Sequence, residues 1–177
     1  MTLRVQLAPV DAVPTVRYRW DPDTDILSAA VEAPAAPLGV AEPTPAVPRG
    51  LDADGAIEVE GADGSWLSID LVRGRIGGVQ VAVWPAVHRR SALAAPEAPA
   101  RAAFAVGTTL AGTVTHELSA RVAAETDATQ RHFHFRFGAL RPAERARIAR
   151  DVVLEVDEHR RLAGLWLLNV PPFPHAP

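Results

Sequence analysis

The chemistry open to this chain begins with its histidines. His132 and His134 stand two apart in H-F-H-F-R-F, so in a strand both project from one face. Paired imidazoles can chelate Zn²⁺ at ~2.0–2.1 Å, and His116, with Glu117 or Glu125, could complete such a set. The other reading puts Phe133, Phe135 and Phe137 against the core, the two histidines toward solvent and His116 on an apolar face with Leu118. Asp21, Asp23, Asp25 and Glu32 fall at positions 1, 3, 5 and 12 of a calcium-loop register, but position 6 needs glycine and here is Ile26. The D-P-D-T-D segment therefore reads as a turn. Arg141, Arg145, Arg160 and Arg161 suggest an anion site, because guanidinium forks suit phosphate or carboxylate. Glu144, Asp151, Glu155, Asp157 and Glu158 are interleaved with them, which favours a salt-bridged face. No nucleophile elbow, phosphate loop, H-E-x-x-H or dinucleotide fingerprint occurs. Nothing in the residues points to an enzyme, a non-enzymatic role is favoured, and no cofactor is expected.

The elements that would position these residues are mainly strands. Val16, Tyr18 and Trp20 alternate with Arg17 and Arg19, and Ile26 to Val31 follows after the aspartate turn. Residues 33–50 hold five prolines, which cannot pair within a central strand. Two long apolar hairpins stand out, S-W-L-S-I-D-L-V-R-G-R-I-G-G-V-Q-V-A-V-W-P (65–85) and D-V-V-L-E-V-D-E-H-R-R-L-A-G-L-W-L-L-N-V-P (151–171). Their second arms align Arg75 with Arg161, Gly78 with Gly164 and Pro85 with Pro171. Sliding the first arms pairs Asp70 with Asp157, with one extra residue in the earlier turn. Pro142 followed by A-E-R-A-R-I-A-R predicts one short helix over 142–150.

The expected architecture is mainly β, two related antiparallel halves packed as a sandwich or barrel-like core. The first would span 1–85 with a Pro-rich loop at 33–50, an Ala/Pro/Arg-rich connector would run over 86–103, and the second would span 104–177. The formal charge of -3 argues against a nucleic-acid or membrane-surface partner. That charge is divided: residues 1–85 carry twelve acids against six arginines, and 86–177 nine against twelve. Opposite signs would let the halves attract, within a chain or between chains. Cysteine is absent, which excludes thiolate chemistry. The opening M-T-L-R-V-Q-L alternates and lacks an apolar core, so a cytoplasmic location is expected.

The repeated unit, W-D-P-D-T-D-I-L-S-A-A-V (Trp20–Val31) with I-D-L-V-R-G-R-I-G-G-V-Q-V (Ile69–Val81), resembles a family of short, uncharacterised bacterial β-proteins. Their pattern runs roughly Y-D-P-x-x-D-x-L-Y-I … V-D-x-D-x-x-G-R-[LV]-V-G-I-E-I-L. The second half supplies V-D-E-H-R-R-L-A-G-L-W-L (Val156–Leu167) without a D-P-x-x-D turn. The resemblance implies no catalytic residues. Some family members are similar to partner proteins encoded beside small toxin-like proteins, which implies a binding role. Trp66, Trp84, Trp166 and Phe173 are the aromatic candidates for an interface. The expected function is a non-enzymatic protein-interaction module, self-associating or binding a small partner protein. The alternative is a metal- or small-ligand-binding β-barrel using the His132/His134 strand face.

Overall fold

A computed structural model of the chain describes residues 4–32, 54–106 and 114–174. The Pro-rich loop expected at 33–50 lies outside them. Fourteen strands and no helix make up the described residues. They are β1 (Arg4–Pro9), β2 (Thr15–Asp21), β3 (Ile26–Glu32), β4 (Gly55–Glu60), β5 (Trp66–Val72), β6 (Arg75–Val83) and β7 (Val87–Arg89). The rest are β8 (Arg101–Val106), β9 (Val114–Ser119), β10 (Val122–Thr126), β11 (Phe133–Phe137), β12 (Ala143–Ala149), β13 (Val152–Asp157) and β14 (Leu162–Leu167).

The strands form two sheets that share one core, as the mainly-β reading expected. In the first sheet β2, β3, β6, β5 and β4 lie side by side, and in the second the order is β10, β11, β14, β13, β12. All of these neighbours are antiparallel. The two halves therefore carry the same order and directions. Leu27, Ile57, Leu67, Ile69, Val79 and Val81 of the first sheet meet Phe133, Phe135, Leu154, Leu165 and Leu167 of the second, all buried. Alternation with period two selects these residues, so each sheet turns one apolar face inward.

Cross-strand register gives the correspondence residue by residue. Gly78 faces Asp70 on one side and Ala30 on the other; Gly164 faces Glu155 and Arg136. Asp70 thus corresponds to Glu155, not to Asp157. Each pairing slips by one residue beside the glycine, at Gly77 in β6 and at Ala163 in β14. The extra turn residue belongs to the later hairpin: Arg73 and Gly74, both at positive φ, close the first, while Glu158 to Arg160 close the second with Arg160 at φ 62°. Asp127 occupies the register place of Asp21, so the second half has its own aspartate turn, built on E-T-D-A-T. There the Asp127 carboxylate accepts from the amides of Thr129, Arg131 and His132.

The helix expected at 142–150 is β12. Ala146 and Ile148 are buried between the outward Arg145 and Arg147, a period of two that pairing with β13 enforces over the helix propensity of Ala, Glu and Arg. The connector expected at 86–103 is also partly paired. β7 adds parallel to β10 in the second sheet, and β8 pairs with β1 and touches β6 in the first. β9 adds parallel to β4. Each sheet is thus extended by a strand that lies, along the chain, with the other half.

Side chains of β2 tie the layers together. Tyr18 donates to the carbonyls of Asp151 and Leu168, and the Trp20 indole donates to Pro171. Trp20 stacks on Trp84 at 5.6 Å, and Trp84 packs edge-on against Phe133 at 5.2 Å.

Candidate interaction surface

With the inner faces buried against each other, any site must use the outer faces, the rims or the cleft between layers. The outer face of the second sheet is closed. Glu155 lies over Gly164, whose missing side chain lets the carboxylate cross β14 to the next strand. A Cβ at Gly164 would stand 2.7 Å from Glu155 Oε2 and 2.9 Å from the Phe135 carbonyl. Oε2 meets His134 Nε2 at 3.1 Å, while Oε1 accepts from Trp166 Nε1 at 3.0 Å and Arg145 Nε at 3.2 Å. Burial raises the Glu155 pKa, but these hydrogen bonds and the nearby His134 outweigh it and bring it to about 2. His134 also stacks on Trp166 with centroids 4.1 Å apart. Leu93 and Ala98 cover Val153, Trp166 and Leu168 from outside, and the Pro96 carbonyl accepts from Arg147.

The four arginines read as an anion site are held by carboxylates. Arg141 and Arg161 both bind Asp157, at 3.0 and 2.9 Å; Arg145 binds Glu155, and Arg160 binds Glu144. The buried Asp157 also caps the turn by accepting from the amides of His159 and Arg161. The histidines are dispersed. His134 is engaged by Glu155, His132 Nδ1 accepts from the Asn169 amide, and His116 sits on the inward face of β9. Among the described residues no group of three or more His, Asp or Glu could hold a metal ion. His116 instead lines a cleft of about 370 Å³ whose walls include Leu118, Phe137 and Arg161. Of the four aromatic candidates, Trp166 is buried, Trp84 is enclosed by Trp20, Phe133 and Phe135, and Phe173 packs edge-on against Trp20. Trp66 is 38% exposed.

Trp66 belongs to the outer face of the first sheet, which is closed at its β8 end, where Ala8 and Val10 pack on the buried Ala102 and Phe104, and keeps solvent access over β4 and β5, where Trp66 and Asp70 are exposed. One row across that face reads Arg19, Ser28, Gln80, Ser68, Glu58, Glu117. The next reads Arg17, Ala30, Gly78, Asp70, Ala56, Thr115. Small and polar residues occupy the middle, two arginines one flank and glutamates the other. Glu58, Glu60, Glu117, Gly64 and Trp66 enclose a depression of about 320 Å³. Those three glutamates and Asp70 have no ion pair among the described residues. Desolvation by the strand surface beneath pushes the Asp70 carboxyl up, although one side of the residue is open to solvent. Of five exposed large hydrophobics among the described residues, Trp66, Val72 and Val83 lie on this face. The sequence singled out Trp66, and Glu117 only as a partner for His116; the grouping of Glu58, Glu60 and Glu117 depends on the parallel pairing of β9 with β4. Among the described residues no helix is long and apolar enough to cross a membrane. No family model matches the chain, and no curated protein matches it.

Proposed function

We propose that the chain is a non-enzymatic protein-interaction module, self-associating or binding a small partner protein, and that it works through the outer face of the first sheet. The observation that carries this reading is the contrast between equivalent faces. One is closed by its own charge pairs and a covering segment, while the other presents Trp66 beside Glu58, Glu60 and Glu117 without charge partners. Aromatic anchors ringed by polar groups are the usual composition of a protein contact. The resemblance of Trp20–Val31 and Ile69–Val81 to a bacterial β-protein family, with its hint of partner proteins, points the same way. The common strand order and the matched carboxylate-over-glycine pairs support descent of both halves from one duplicated unit.

A photo-crosslinking amino acid at Ser68, in the middle of the open face, tests the reading in the cell that makes the protein. A discrete adduct from position 68, and none from exposed Leu140, is the expected result. No adduct from Ser68 would sink it. The rival reading, metal or small-ligand binding on the His132/His134 face, is checked by elemental analysis of protein purified without chelator or His tag. Stoichiometric metal lost in a His132→Ala, His134→Ala double variant would favour it.

A further inference from the structure

We infer that the occupant of the open face is a second copy of this chain, related by a two-fold axis running along the strands between β5 and β6. This rests on the interaction reading above and names its partner. Rotation about that axis turns the sheet over and lays β2 of each copy across β9 of the other, β3 across β4 and β6 across β5. Arg19 then faces Glu117 of the second copy, and Glu117 faces its Arg19, from positions in one row across the sheet. Trp66 and Val83, paired across β5 and β6, meet Val83 and Trp66 close to the axis. Elsewhere on the face Ala30 lies over Ala56 and the polar Gln80 over Ser68, so the small side chains sit in the Ala30 row and a polar contact lies beside the axis. The result is an apolar contact near the axis with complementary charges at both flanks, self-complementary as a two-fold contact must be.

Other occupants fit the charges less well. Residues 33–53, which leave and rejoin the first sheet at Glu32 and Asp54, carry one arginine and two acids. Residues 107–113 carry no charge. Residues 107–113 thus offer no ion pair and residues 33–53 bring a single arginine to three glutamates, whereas a second copy sets Arg19 against Glu117 at both symmetry-related contacts. Six strands ~4.8 Å apart and about six residues long give a patch of roughly 24 by 20 Å, ~500 Å² per copy. That is smaller than the ~800 Å² per partner of a standard interface and belongs with weak, reversible association. A micromolar dissociation constant is expected.

Sedimentation equilibrium of the full chain, with charge reversal, tests this. The wild type should be in monomer–dimer equilibrium at micromolar concentration. Arg19→Glu and Glu117→Arg should each weaken it about 100-fold, because like charges would face each other at both symmetry-related contacts. An equimolar mixture of the two variants should recover a heterodimer, since each then supplies what the other lacks. Recovery also guards against misfolding as the cause of the loss. A wild type that stays monomeric, or single variants that dimerise undisturbed, would overturn the two-fold contact. The Ser68 crosslink separates that failure from failure of the wider reading. An adduct of twice the chain mass agrees with the dimer. An adduct of another mass, or an internal link to residues 33–53, overturns it, the former leaving protein binding intact; no adduct removes both.

Discussion

Asp70 and Glu155 occupy the same place in the two halves, each a carboxylate lying across a glycine of the neighbouring strand. Their surroundings differ at every adjoining position. Around Glu155 stand His134, Trp166 and Arg145; the corresponding residues around Asp70 are Ser28, Gln80 and Ala56. One carboxyl is satisfied and driven down, and the other is left with desolvation and pushed up. The same backbone frame therefore yields a closed, self-sufficient face in one sheet and a face that still has charge to satisfy in the other. What a strand scaffold fixes is the place of a carboxylate; its neighbours decide whether that carboxylate holds the fold together or faces outward.

The sharpest way to break this comparison is to remove the two carboxylates in turn. Glu155→Ala leaves Trp166 Nε1 and His134 without their acceptor in a buried setting and releases the half-exposed Arg145, and should cost about 3 kcal/mol. Asp70→Ala should stay within about 0.5 kcal/mol, as for a group without partners. Equal losses in urea unfolding would show that the two positions are energetically alike. Acidity separates them by sign. The Glu155 pKa is lowered from 4.5 to about 2, so its contribution is complete above pH ~4.5 and disappears as pH falls toward 2. Asp70 has the opposite sign: its raised pKa disfavours the folded state at neutral pH, and that penalty is relieved as pH falls. In unfolding followed across pH, Glu155→Gln should flatten the acid loss and Asp70→Asn should not. A smaller contrast comes from the glycines. Alanine at Gly164 meets a backbone carbonyl at 2.9 Å that cannot move away, and should cost about 2 kcal/mol by overpacking. At Gly78 the nearest atom is the movable Asp70 carboxylate and the closest carbonyl is 3.4 Å away, so less than about 1 kcal/mol is expected. A larger loss at Gly78 would reverse the assignment.

Much of this frame was legible in the residues. The alternation in β2, the two hairpins and the Gly78–Gly164 match led to the correct strands and the correct second-arm register. The reason for the glycines was not legible. Neither adopts a positive φ; the slipped residues are Gly77 and Ala163, and the space at Gly78 and Gly164 is taken by the Asp70 and Glu155 carboxylates. The first arms were aligned two residues off because each acidic side chain looked equivalent, and only pairing across β6 and β14 distinguishes them. β12 was hidden by residues with helical propensity that tertiary pairing overrides. β7 escaped because three residues joining a sheet edge leave no periodic trace. The open face was invisible for a related reason: Glu58 and Glu117 become neighbours only when β9 docks on β4.

That docking also governs how the protein can be made. As the chain leaves the ribosome, the β4 edge is exposed before residues 114–119 have been synthesised, and the β10 edge is then covered by β7, made long before it. Neither sheet can finish on its own, so the halves must assemble as one cooperative unit through contacts distant in sequence, a topology associated with slow folding. An unfinished β4 edge is a template for pairing with another chain. Glu58 and Glu60 at that edge place like charges on any copy that tries to pair with it too early.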